Sequence, residues 1–197
     1  MTSSRDASTS VPVHPLIAAR WSPRALDPAG SVSDESLRAV LEAARWAPSN
    51  GNTQPARFLV GRRGDNTYAR IFDLLSQRNQ GWAHAAAVLI LTCAVTTNEK
   101  GDLPMPEYGV GLAAENLALQ AVAEGLVAHQ MGGFNREGAA LVFSLPLDVR
   151  PQVVIALGTL GAPELLDEDR RARETAPRRR LPLNEIAFTG EWGIPIF

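Results

Sequence analysis

Residues 106–124 constrain the fold of this chain more than any other stretch. They are Ala- and Leu-rich, have the length of a helix and are apolar on nearly every side. A helix without a polar face has to be covered all round, so it is expected to be a central buried helix. Gly125 supplies its stop. Residues 86–94 form a second unbroken apolar run, of strand length, which suits a strand buried on both faces. Both elements need covering. A chain of 197 residues can do so around one core, burying roughly 70 % of its unfolded surface.

The remaining elements are marked by caps and spacing. Ser33 is a good N-cap, Asp34 and Glu35 suit the first turn, and Val32 and Leu37 stand where a hydrophobic staple would. Leu37, Val40, Leu41 and Ala44 follow at helical spacing, and Pro48 ends the helix. Residues 66–76 are expected to be helical, with Tyr68, Ile71, Phe72 and Leu75 on one face. Asn135 can cap a helix running to about Ser144, and residues 163–175 suggest a charged surface helix. Residues 15–20 are a short helix or turn, and residues 96–105 a loop. Strands are expected at 56–60, 126–129 and 153–157, and an extended tail closes the chain. Helix and strand do not alternate strictly. That favours an α+β layered fold, a central mixed sheet flanked by helices, over a doubly wound one. Residues 1–13, rich in Ser and Thr, are expected to be a disordered arm, and residues 14–197 a single domain.

Composition excludes little but points somewhere. Net charge is −2, so nothing draws the whole chain to nucleic acid or an anionic membrane. Six arginines lie in residues 170–180, yet Glu164, Asp167, Glu168, Asp169 and Glu174 partly neutralise them. No secretory signal pattern and no apolar stretch of about 20 residues is present. Cys93 is alone and inside an apolar run, which fits a buried thiol in a reducing, cytoplasmic setting. There is no phosphate-loop pattern, no dinucleotide glycine pattern and no nucleophile elbow. His14, His84 and His129 are not at metal-ligand spacing. Any chemistry is therefore expected to belong to a bound cofactor.

Four polar clusters remain. Arg20-Trp21-Ser22-Pro23-Arg24 sets two guanidiniums about a hydroxyl and could bind phosphate, although alone such a cluster is more often a surface turn. The loop from Pro48 to Pro55 holds Ser49, Asn50, Asn52, Thr53 and Gln54, a set able to grip a polar heterocycle edge or simply to bond itself. Gln130-Met131-Gly132-Gly133-Phe134 follows a strand. Paired glycines there let the backbone approach a flat ligand, or make a plain turn. Arg178-Arg179-Arg180 is a solvated charge run, or a second source of cations for a phosphate.

Taken together and in this order, the clusters resemble the nitroreductase-like FMN family over residues 14–191, with RWSPR, WAPSNGNTQP and RRRLPLNEIAF as the matching stretches. The resemblance implies a homodimer with FMN at the subunit interface. It implies that Arg20, Trp21, Ser22 and Arg24 belong to the phosphate and flavin-edge motif. Arg178 and Arg180 would complete the phosphate site, and spacing leaves open which of Arg178 and Arg179 reaches it. Asn79 would lie beside the pyrimidine end. Gln130, Met131, Gly132 and Gly133 would lie along the isoalloxazine, with a backbone N–H toward N5. Ser49, Asn50 and Asn52 would come from the partner subunit, with Gln54 supporting their loop. Ala56 stands where family members often carry Trp, and Gly132 where some carry Glu.

The activity so implied is transfer of hydride from NADH or NADPH, through the flavin, to a nitroaromatic or quinone-class acceptor. No catalytic side chain is implied. The alternative is a flavin-binding storage or sensing protein with little turnover, its flavin face closed by Trp82, Met131 or Phe134.

Overall fold

A computed structural model describes residues 5–197. The helices are α1 (Pro15–Ala19), α2 (Asp34–Arg45), α3 (Asn66–Leu74), α4 (Gln77–Ala83), α5 (Pro106–Ala123), α6 (Arg136–Val142) and α7 (Glu168–Thr175). The strands are β1 (Ala56–Arg62), β2 (Val88–Val95), β3 (Thr97–Asn98), β4 (Gly101–Asp102), β5 (Val127–Met131) and β6 (Val149–Gly158). β1, β2, β6 and β5 form one sheet in that order. Its three pairings are antiparallel, where a mixed sheet was expected. β3 and β4 make a two-strand hairpin inside the segment read as a loop.

The sheet separates two apolar layers. Along β2, Leu89, Leu91 and Cys93 face one layer with α3, α4 and α6, while Val88 and Ile90 face the other with α2 and α5. This alternation is the two-residue period of a strand, and an all-apolar β2 is what covering on both faces requires. Cys93 is a buried free thiol, pushed up to about 11 by burial.

α2 begins where its cap says it should, with Ser33 Oγ accepting the Ser36 N–H at 3.0 Å. Asn135 caps α6 through Gly138 in the same way, at 2.8 Å. α5 lies across the sheet and packs on α2, burying Val110, Ala113, Ala114, Leu117 and Ala118. It is not covered all round, however: Tyr108, Gly111 and Glu115 are exposed. On that side Arg20 meets Glu115, while Tyr108 and Gly111 stay open.

The charged segment after Pro163 is two elements, a 3-10 turn at Pro163–Leu165 and α7, because Leu166 turns inward and Asp167 starts a new helix as its cap. The segment read as a disordered arm is tied down where it is described: Arg5 donates to Ala176 O at 2.8 Å and Ala7 N–H to Ala18 O at 2.9 Å. Residues 1–4 lie outside the described residues. Among the described residues, no helix is long and apolar enough to cross a membrane.

Candidate functional site

The loop after α1 is held on the end strand of the sheet. His129 of β5 places Nδ1 2.9 Å from Pro23 O, and its ring packs on Trp82 of α4 with centroids 4.5 Å apart. Burial holds the imidazole at about 4, so it is neutral near pH 7 and Nδ1 carries the proton donated to Pro23. Arg20–Arg24 is thereby set beside the strand that ends at Met131.

The paired glycines follow at once. Gly133 O accepts two hydrogen bonds at 3.0 Å, from Asn79 Nδ2 of α4 and from Ser76 N. A Cβ on Gly133 would meet Asn79 Nδ2 and Ser76 Oγ at 3.0 Å, whereas one on Gly132 would meet nothing within 4 Å. Gln130, Gly132 and Gly133 are exposed, and Met131 is buried. Among the described residues, neither glycine N–H has a protein acceptor. Two free donors on an open backbone ledge are what an acceptor-bearing flat ligand would need.

The C-terminal arginines join the start of the first cluster. Arg178 donates through Nη1 to Arg5 O at 2.6 Å and Ala18 O at 2.9 Å, and through Nη2 to Arg20 O at 2.8 Å. Burial lowers its pKa, and Arg20, Arg180 and Arg5 lower it further, with Asp6 working against them. Four cations from the two ends of the chain thus share one neighbourhood, and such a concentration favours an anion. Arg178 is half-buried while Arg179 is exposed. Arg180 donates to Arg179 O at 2.9 Å. Arg20 Nε also pairs with Glu115 Oε1 of α5 at 3.2 Å, and Ser22 is exposed.

Arg24 and Trp21 go elsewhere. The charged neighbours of Arg24 are Glu174, Arg78, Arg173 and Arg170. Burial is the main cause of its lowered pKa, Glu174 opposes that, and the three arginines add to it. The first cluster is therefore divided, with Arg20 on the Arg178 side and Arg24 on the side of α4 and α7. Trp21 lies under the Arg5 guanidinium, 4.5 Å from ring centroid to Cζ, and lines a cavity of about 600 Å³ with Leu160 and Pro163.

The Ser49–Gln54 loop bonds to itself. Ser49 Oγ accepts the Gln54 N–H at 2.9 Å, and Gln54 Nε2 donates to Asn52 O at 3.3 Å. Asn52 (φ 57°) and Gln54 (φ 49°) adopt left-handed backbone, tolerable for Asn and costly for Gln. Asn50 and Asn52 are exposed. Pro55, at the end of this loop, packs against Gly109 of α5, and no hydrogen bond or ion pair joins the loop to Arg20–Arg24 among the described residues. Trp82, Met131 and Phe134 are buried in the core, where none of them can cover an open face beside Gly132.

Two participants carried no sequence signal. Glu174, inside a charge run, is 2 % exposed, and its Oε1 accepts the N–H groups of Arg24 at 2.8 Å and Ala25 at 3.0 Å. Arg5, in the presumed arm, lies against the site. Alternating charge along α7 hides which carboxylate turns inward.

The model of the nitroreductase family matches residues 17–80, which contain the first two clusters and Asn79. A solved structure described as an oxidoreductase containing FMN superposes with a TM-score of 0.90 at 34 % identity, over 98 % of each chain. A putative nitroreductase in complex with FMN from Desulfovibrio desulfuricans is 31 % identical with a TM-score of 0.64, covering 80 % of this chain and 98 % of that one. An uncharacterized 15.4 kDa protein from Mycolicibacterium smegmatis is 41 % identical over 148 residues, 71 % of this chain and 99 % of that protein. Shared fold along nearly the whole chain, joined to the motif-bearing segment, settles the affiliation: the chain belongs to the nitroreductase family.

Proposed function

We propose that this chain is an FMN-dependent oxidoreductase that carries reducing equivalents from NADH or NADPH to an oxidised organic acceptor of the nitroaromatic or quinone class. It works as a cytoplasmic homodimer. The observation that carries the proposal is the Arg178–Arg20 junction, which draws cations from both chain ends together.

The donor set fits FMN. Arg20, Ser22, Arg178 and Arg180 suit a phosphate, and Trp21 stiffens that end by packing under Arg5. Arg178 contributes mainly by charge and by holding the loop, since its Nη atoms already serve carbonyls. Arg24 and Asn79 suit the polar pyrimidine edge. Gln130, Met131, Gly132 and Gly133 suit the face of the ring, with free N–H groups as donors. Ser49, Asn50 and Asn52 serve the partner's site, in keeping with the lack of any hydrogen bond or ion pair from their loop to Arg20–Arg24 among the described residues. When bound, FMN supplies two-electron transfer at N5. The chain binds, orients and stabilises charge. No side-chain acid is required of it: His129 is neutral and bonded to Pro23, and Cys93 is buried and protonated.

Reconstitution with FMN followed by anaerobic addition of NADH or NADPH tests the proposal. The flavin absorbance should bleach and return on addition of a benzoquinone, over many cycles. A chain that binds FMN but never bleaches with either nucleotide is not this oxidoreductase. One that bleaches without turning over acceptor is the storage or sensing protein instead.

A further inference from the structure

Glu174 is a carboxylate in the wrong place for a surface helix. It stands in the last turn of α7, among Arg170, Arg171 and Arg173, yet it alone of that helix is buried. Burying a charge is costly unless it is bonded, and Oε2 has no hydrogen-bond partner among the described residues. What Oε1 gains is specific: two consecutive backbone donors, Arg24 N–H and Ala25 N–H. Four residues on, Arg178 grips the same loop by its acceptors, the carbonyls of Ala18 and Arg20. A carboxylate takes the N–H groups at one end and a guanidinium satisfies the C=O groups at the other. Residues 174–178 thus brace residues 18–25 along their length.

We propose that Glu174 is a positioning residue for the cofactor. By fixing the Arg24–Ala25 backbone it sets where the Arg24 guanidinium stands, and its charge offsets the cations gathered there. The proposal rests on the flavin reading for its consequence and on the contacts of Glu174 and Arg178 for its geometry. Arg24 is crowded by Arg78, Arg170 and Arg173, of which Arg170 is itself paired with Asp167. Glu174 is the buried negative charge that opposes this crowding.

The test uses the full-length chain with Glu174→Ala and Glu174→Gln. Amide hydrogen exchange of Arg24 and Ala25 is followed without cofactor, and FMN affinity is measured by fluorescence quenching. Loss of a charge-assisted acceptor should speed exchange at both amides, and weaken FMN, by about tenfold or more in Glu174→Ala. Glu174→Gln keeps an acceptor oxygen but no charge. It should retain most of the amide protection and raise the midpoint potential of bound FMN, which a purely structural residue would leave alone. Wild-type exchange and affinity in Glu174→Ala would overturn the proposal, as would an unchanged potential in Glu174→Gln. Should Glu174→Ala fail to fold, Glu174→Gln decides by potential and exchange. A wild-type chain that takes up no FMN sinks the flavin reading, while the exchange arm still judges the brace.

Discussion

Single residues set the character of the site through burial. His129 is the clearest case, since its ring is displaced from 6.5 to about 4 chiefly by desolvation. The neutral ring's contribution is complete above about pH 6.5 and is lost as pH falls toward 4, where the folded protein must also protonate it. The displacement corresponds to about 3 kcal/mol. Urea unfolding of the wild type should therefore show a marked loss of stability between pH 7 and pH 4.5. His129→Gln should be less stable at pH 7 but lose less on acidification, and an equal loss in both proteins would refute the assignment. Gly132 and Gly133 separate ligand from fold. Gly133→Ala pushes on Asn79 and Ser76 and should lower both thermal stability and FMN affinity. Gly132→Ala meets nothing in the chain, so the apo protein should unfold within about 0.5 kcal/mol of wild type. Its FMN affinity should still fall, because the backbone must approach the ring closely. Unchanged affinity in Gly132→Ala would move the ring elsewhere.

At the scale of elements, α5 approaches Pro55, at the end of the Ser49–Gln54 loop, closely at Gly109. A Cβ on Gly109 would lie 2.8 Å from Pro55 Cγ, so Gly109→Ala should shift the loop and cost about 1–3 kcal/mol in chemical denaturation. A stability equal to wild type would show that the loop yields freely. Elements announced by local chemistry were legible in the sequence: Ser33 and Asn135 act as caps, and the apolar run of β2 is buried on both faces. α4 was not, because Ser76 makes no side-chain cap bond and only Trp82 and Ala83 of its seven residues are buried. The start of β6 was hidden by Pro151, which the sheet accepts because β5 pairs only from Val154 onward. Thr92 spans the bulge there, its Oγ1 donating to Val153 O at 3.1 Å and accepting the Val153 N–H at 3.2 Å. In the site, residue types and order pointed to Arg20, Asn79, Gly133 and Arg178. The inward turn of Glu174 and the bracing by Arg178 depend on contacts 150 or more residues apart, which no local pattern encodes.

At the scale of the molecule, two surfaces of the described residues with exposed apolar side chains bear on assembly. One is the uncovered side of α5, with Tyr108 exposed and Met105 and Trp46 also exposed. The other is the tail. Residues 187–196 close a small loop in which Thr189 N–H meets Ile194 O at 2.8 Å and Ile196 N–H meets Ala187 O at 3.1 Å. Backbone hydrogen bonds of residues 182–197 stay within the tail among the described residues, and Trp192 and Phe197 are 92 % and 81 % exposed. Trp192 packs on Phe188 within the tail, yet so exposed a pair of aromatic rings suits contact with a further surface. The proposed occupant is a second copy, in keeping with the proposal that Ser49, Asn50 and Asn52 serve the partner's site. Sedimentation of the FMN-loaded protein should accordingly give twice the 21.2 kDa chain mass. Deleting residues 187–197 should leave a folded body, as judged by far-ultraviolet dichroism, that sediments as a monomer and retains far less FMN. Stoichiometric FMN on a monomeric full-length chain would mean that all the binding residues come from one subunit, and Ser49, Asn50 and Asn52 would then lose their role.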